Sequence, residues 1–324
     1  MNVFERYQTF LVFAGVVVGL VVAQFDGVPT VADRIILPLL LVMLFAVFAQ
    51  VPVARLRDTL RNRRVVGTSL AVNFVWNPLL AVVLGFVFLR NHPALWVGLV
   101  MLMVTPCTDW YLVFTDIADG DVPLATSLLP YNLVLQLVLL PVYLYLFAGE
   151  LVELPLGVLV EAVALVLVVP FALASAARGV LPRIKSDDWF RSSFLPALAP
   201  VQVVFLALAV AAMFASQGDA VVENPVVLGL VALPVIVFYV VNFGLGLVVG
   251  RVARFSYEEN VCFSCTVLSR NSPTALAVAV VAFPNEPLVA LALVIGPLLE
   301  LPLLSVVSRS MLWLREKNVW SADV

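Results

Sequence analysis

Residues 94–117 read ALWVGLVMLMVTPCTDWYLVFTDI, and residues 259–283 read ENVCFSCTVLSRNSPTALAVAVVAF. Each is an apolar stretch of membrane-spanning length with a polar cluster at its middle. The first cluster is Thr105-Pro106-Cys107-Thr108-Asp109; the second is Ser269-Arg270-Asn271-Ser272-Pro273-Thr274. Proline lacks an N–H and leaves a carbonyl one turn back without a partner. In hydrocarbon such a carbonyl must be satisfied inside the protein or by a ligand. A kink needs a proline but not five polar neighbours. Both stretches are therefore expected to be broken helices that frame a binding site. The half-helix after each break turns its positive N-terminal dipole inward, which suits an anion or a strongly dipolar ligand.

The rest of the chain has the same apolar character. Of its 324 residues, 63% are hydrophobic and 12% charged, and mean hydropathy is +1.10. Soluble domains run at roughly 45–50% apolar and about 25% charged. So few charges cannot clothe a water-facing surface, and the lipid bilayer is the expected surrounding. The net charge of −3 argues against a nucleic-acid partner, since no basic patch exists outside short loops. Three cysteines make no disulfide framework. A spanning helix needs roughly 20 mostly apolar residues. Ten such stretches lie near 8–24, 33–51, 65–89, 94–117, 122–148, 155–178, 190–215, 225–250, 259–283 and 288–314. The first of them reads as a span and not as a removed signal, since no basic region and cleavage site accompany it.

Orientation follows from the basic residues. Arg6, the run Arg55, Arg57, Arg61, Arg63 and Arg64, then Arg178, Arg183, Lys185, Arg191, Arg251, Arg254, Arg309, Arg315 and Lys317 make 15 of 18 on one side. Only Arg34 and Arg90 fall on the other, and Arg270 lies inside a span. Ten spans then place both termini in the cytoplasm of a multi-pass cell-membrane protein.

The chain also repeats itself. Pro106 and Pro273 are 167 residues apart, and so are Pro130 and Pro297. A repeat of five spans inverts in the membrane, because five is odd. Inverted repeats with interrupted helices are a transporter architecture with cargo bound at the midplane. The expected fold is all-α: a polytopic membrane protein of ten transmembrane helices, formed by two inverted five-helix repeats, 1–150 and 151–324, with the broken fourth and ninth helices crossing.

Three ionisable residues lie well inside spans: Asp109, Arg270 and Glu300. An unpaired charge at a span centre costs about 2.5–3.5 kcal/mol on insertion scales. Asp109 and Arg270 occupy matching breaks and are expected to approach each other. Glu300 sits in Gly296-Pro297-Leu298-Leu299-Glu300-Leu301-Pro302. Apolar surroundings favour the protonated form of a carboxylate, so Glu300 is the candidate proton carrier, with Asp109 beside it in that role; an interhelical hydrogen bond is the structural alternative. Cys107 follows the break proline, and a thiolate is a soft ligand fit for a soft metal or metalloid. Thr108, Arg270, Asn271, Ser272 and Asn132 complete the candidate substrate-binding set. Asn73, Asn77, Gln136 and Asn242 are expected to line the cavity or bond between helices. Cys262 and Cys265 read as packing residues. No nucleophile–base set, metal-binding histidine pair or phosphate loop occurs, so neither an enzyme nor a cofactor is expected.

Val104-Thr105-Pro106-Cys107-Thr108, then Ala118-Asp119-Gly120-Asp121 and Asn132, resemble the fourth and fifth spans of arsenical-resistance permeases. Val294 to Pro302 resembles their tenth. These permeases belong to the bile acid:sodium symporter superfamily. The resemblance implies ten spans, with a core domain of crossed broken helices and a panel domain, each drawn from both repeats. It also implies arsenite efflux by proton exchange, with Cys107 and Glu300 essential. Sodium-coupled members carry a Ser-Asn pair after the first break and a Glu before a Gln-Asn pair at the second. Here Tyr111-Leu112, Thr266 and Arg270-Asn271 stand in those places, so coupling to sodium is not expected. The arsenite permeases usually carry an apolar residue where Asp109 stands, which leaves room for another cargo. A small organic anion held by Arg270 and the two helix ends is the alternative substrate.

Overall fold

The computed structural model describes residues 3–51, 62–108, 110–148, 156–223, 225–317 and 320. Among them the chain is helical apart from turns, bends and one isolated two-residue bridge. Seven helices are long and apolar enough to cross a membrane: Val28–Gln50, Arg63–Phe88, Val122–Phe147, Gly157–Ile184, Asp187–Ser216, Gly229–Val252 and Pro287–Glu316. Three shorter apolar helices are Phe10–Val22, Pro93–Val104 and Ser272–Ala282. Two of these short pieces are halves of the interrupted stretches. Large apolar side chains lie exposed along the helices, among them Phe86, Val87, Val138, Val240 and Val306. In water such a surface would aggregate; it is the surface of a membrane protein.

The chain divides into two compact units, each assembled from three segments. Unit 1 takes Met1–Val51, Glu153–Gly229 and Pro273–Val294. Its main helices are α1 (Val3–Val22), α2 (Val28–Gln50), α8 (Leu156–Val163), α9 (Val169–Ile184), α10 (Asp187–Trp189) and α11 (Leu195–Glu223). α11 packs along both α1 and α2, and α9 packs on α2. Small residues permit the close approach: a Cβ on Gly19 would stand 2.4 Å from the Ala211 carbonyl oxygen. Arg178 donates from Nε to the Ala49 carbonyl at 2.6 Å, capping the end of α2.

Unit 2 takes Pro52–Val152, Leu230–Ser272 and Ile295–Val324. It contains α3 (Arg63–Ala71), α4 (Asn77–Phe88), α5 (Pro93–Val104), α6 (Trp110–Ile117), α7 (Val122–Tyr143), most of α12 (Pro225–Val252), α13 (Tyr257–Leu268) and the later part of α15 (Pro287–Glu316). α14 (Ser272–Ala282) begins at the edge of this unit. α5 and α13 are its inner helices: every residue from Val97 to Val104 and from Asn260 to Leu268 is buried. Their starts are fixed locally. Pro93 opens α5, where a missing N–H costs nothing. Ser256 and Glu259 form a reciprocal capping box on α13. Asp121 caps α7, accepting from the Leu124 N–H at 2.9 Å. α3 and α4 are one span joined by a π turn, Val72–Trp76.

Candidate functional site

Both interrupted stretches break where their prolines and polar clusters stand. α5 stops at Val104 and α6 starts at Trp110; α13 stops at Leu268 and α14 starts at Ser272. The two breaks meet. Pro106 and Arg270 form an antiparallel bridge. The Cys107 N–H donates to the Ser269 carbonyl at 3.1 Å, and the Asn271 N–H donates to the Thr105 carbonyl at 2.7 Å. Each break thus supplies the backbone partners that the other lacks, as a non-helical segment inside an apolar core requires. Thr105 adds a side-chain cap. Its Oγ1 donates to Met101 O at 2.9 Å and lies 3.1 Å from Leu102 O, closing the last turn of α5.

Arg270 is 2% exposed. Its guanidinium faces the carbonyl ends of both inner helices. Nη1 donates to Met103 O at 2.8 Å, and Nε to Leu268 O at 3.3 Å. Nη2 donates to Val267 O at 2.5 Å and to Asn73 Oδ1 at 2.8 Å, with Thr266 O at 3.5 Å. The Phe238 ring covers the group, its centroid 5.4 Å from Cζ. Last-turn carbonyls have no intrahelical partner and carry the negative end of the helix dipole, so they suit a buried cation. Glu300, on α15, is also buried, and its Oε1 accepts from the Arg270 backbone N–H at 2.9 Å. A Cβ on Gly296 would stand 2.3 Å from Ser272 Oγ, so glycine is what lets α15 come this close.

A polar file continues from Arg270. Asn77 donates from Nδ2 to Asn73 Oδ1 at 3.3 Å and to Val267 O at 3.2 Å. Asn242 donates to Asn77 Oδ1 at 2.9 Å, and Trp76 Nε1 donates to Asn242 Oδ1 at 2.9 Å. Asn73 Nδ2 lies 3.5 Å from Asn132 Oδ1. Asn73 rides on the π turn and Asn77 follows it directly, in keeping with the tendency of π turns to mark functional places in helices.

Of the residues singled out from sequence, Cys107, Thr108, Arg270, Asn271 and Ser272 come together at the crossover, and Glu300 joins them from α15. Asn271 Nδ2 lies 3.5 Å from Thr108 Oγ1. Asn132 is linked to the group through Asn73. Asp109 lies outside the described residues, and so does its expected approach to Arg270. Asn73, Asn77 and Asn242 bond between helices. Cys262 and Cys265 are fully buried in α13. Tyr239 and Phe238 were not anticipated. Tyr239 is buried next to Phe238 in α12. Its hydroxyl and Ser269 Oγ have no hydrogen-bond partner among the described residues. A tyrosine in the middle of an apolar span was the available signal, since a buried phenol wants a partner.

The chain is similar to several known proteins. The Arsenical-resistance protein Acr3 of Corynebacterium glutamicum is 28% identical over 288 residues, 86% of this chain and 78% of its own length. Acr3 of Alkaliphilus metalliredigens is 24% identical over 93% of this chain and 90% of its own. An uncharacterized transporter of Synechocystis sp. is 25% identical over 94% and 87%. The pattern of the Sodium Bile acid symporter family matches residues 37–224, more than half of the 324. A match of that extent makes this chain a member of the Sodium Bile acid symporter family, and thereby a membrane transporter.

Proposed function

We propose that the chain exports arsenite or a related metalloid species in exchange for protons, through the crossover in unit 2. The observation that carries this reading is the bridge between the breaks. It holds the backbone of Cys107 against Ser269, next to the residue whose N–H binds Glu300. A soft thiol and a titratable carboxyl then serve one place. Trivalent arsenic prefers sulfur: the thiol replaces one hydroxyl of arsenous acid, an S–As bond forms and water leaves. Water reverses the step on release. The open hydroxyls of Tyr239 and Ser269 are suited to the remaining arsenic hydroxyls. Thr108, Asn271, Ser272 and Asn132 supply the other polar walls.

Glu300 exchanges the proton that drives the cycle, with Asp109 as the second proton site. Ten spans in two inverted repeats, both termini cytoplasmic, give the alternating-access frame. The likeness to two arsenical-resistance proteins supports the cargo. A small organic anion fits less well. It would need guanidinium donors that Met103, Val267, Leu268 and Asn73 already take.

Everted membrane vesicles test the reading. Arsenite uptake should require an acid-inside gradient and should vanish in Cys107→Ser. Uptake that ignores both the gradient and the thiol would refute it.

A further inference from the structure

Arg270 touches more of unit 2 than any binding role requires. Its side chain reaches the end of α5 at Met103, the last turn of its own helix α13 at Thr266, Val267 and Leu268, and the π turn at Asn73. Its main chain is paired with Pro106 and held by Glu300 of α15. The residues on either side of it, Ser269 and Asn271, make the two backbone bonds that fix Thr105 and Cys107. Its guanidinium lies among carbonyl oxygens at two negative helix ends. Without the cation, those oxygens would be crowded together, buried and unpaired, and the ends of α5 and α13 would repel. A lysine offers a point charge and cannot span separate acceptors as a planar fork does.

We infer that Arg270 is a positioning residue: its guanidinium clamps the carbonyl ends of α5 and α13 together, and through the Ser269–Cys107 and Asn271–Thr105 bonds it holds Cys107 in place. The clamp rests on the reading of Cys107 as the cargo ligand only for its purpose. Its geometry does not depend on what is carried.

The test reads the thiol and not transport. In a Cys262→Ala, Cys265→Ala background, labelling of Cys107 by N-ethylmaleimide is timed in membranes. Arg270→Ala should speed labelling by about tenfold or more, as loss of a buried charged hydrogen-bond set opens the site locally. Low-millimolar guanidinium chloride should slow it back towards the parent rate, while choline chloride at the same ionic strength should not. A general loosening of the fold would give no such ion-selective rescue. Arg270→Lys should label at an intermediate rate. Should Arg270→Ala fail to fold, Arg270→Lys is timed against the parent instead. Labelling at the parent rate in whichever folded variant is read, or acceleration in Arg270→Ala that guanidinium does not reverse, overturns the clamp. Arsenite uptake lost in Cys107→Ser is a separate result, and neither outcome decides the other.

Discussion

In unit 1, α11 lies on α1 and α2 through glycine and alanine, with Gly15 against Ala207 and Gly19 against Ala211. In unit 2, the inner helices α5 and α13 stop short and are joined by backbone pairing, an arginine and a file of asparagines. Among the described residues nineteen polar or charged side chains are buried, and eighteen of them belong to unit 2; the exception is Thr274. Unit 1 does have a hollow, of about 630 Å³, but Val22, Val28, Ile35, Leu39 and Leu208 line it, and Asp26 is its one charged residue. The contrast separates two ways of holding helices together in lipid. Small residues give dispersion contact and nothing that a polar cargo can use. A polar core costs more to build, because each buried group left without a partner is a free-energy penalty.

Substitutions can break or sharpen that contrast. The largest effect is expected at the thiol: Cys107→Ser should bring arsenite uptake down to the level of empty vesicles, with membrane abundance unchanged on immunoblots. Next comes Glu300→Gln, which keeps an oxygen for the Arg270 N–H but cannot exchange a proton. Uptake should lose its dependence on the pH gradient while arsenite still protects Cys107 from N-ethylmaleimide. Asn77→Ala strips partners from Asn242 and Val267 at once. It should cost about 1–3 kcal/mol, seen as a lower Tm in detergent. In unit 1, Gly19→Leu collides with the backbone of Ala211. It should also lower Tm, by overpacking of about 1–3 kcal/mol, but leave the KM for arsenite unchanged. A changed KM there would remove the division of labour. The smallest effect is expected from Tyr239→Phe: one hydrogen bond to cargo, about 1 kcal/mol, or roughly fivefold in KM.

The breaks themselves were legible in the sequence, because proline next to a run of polar residues has few uses inside hydrocarbon. Their pairing was legible from the equal 167-residue spacing of Pro106 to Pro273 and Pro130 to Pro297. The surroundings of Arg270 were not. A buried arginine suggests a carboxylate partner, and Asp109 in the matching break was the obvious one. Asp109 lies outside the described residues; among those described, the guanidinium donates to main-chain carbonyls and to Asn73 Oδ1, and a carbonyl has no letter in the sequence. The same reasoning stressed the positive starts of α6 and α14 and overlooked the negative ends of α5 and α13, where the only buried arginine among the described residues sits. Nor did ten stretches of similar length foretell which would pack tightly and which would carry polar groups. That depends on which faces meet. Gly19 and Asn73 both lie in apolar helices, yet one meets an alanine backbone and the other a guanidinium.

The π turn has a consequence of its own. At Val72–Trp76 the Asn77 N–H reaches back five residues to Val72 O, instead of four. Such a turn is an α-helix carrying one additional residue, so it works as a phase shift between α3 and α4. Val75 is 60% exposed and holds nothing in place. Deleting it would restore regular winding and swing Asn73 by about 100° around the helix axis relative to Asn77. The asparagine would then face away from Arg270, although every contacting side chain had been retained. The winding register of this span, set by one additional residue, therefore decides whether Asn73 faces the crossover.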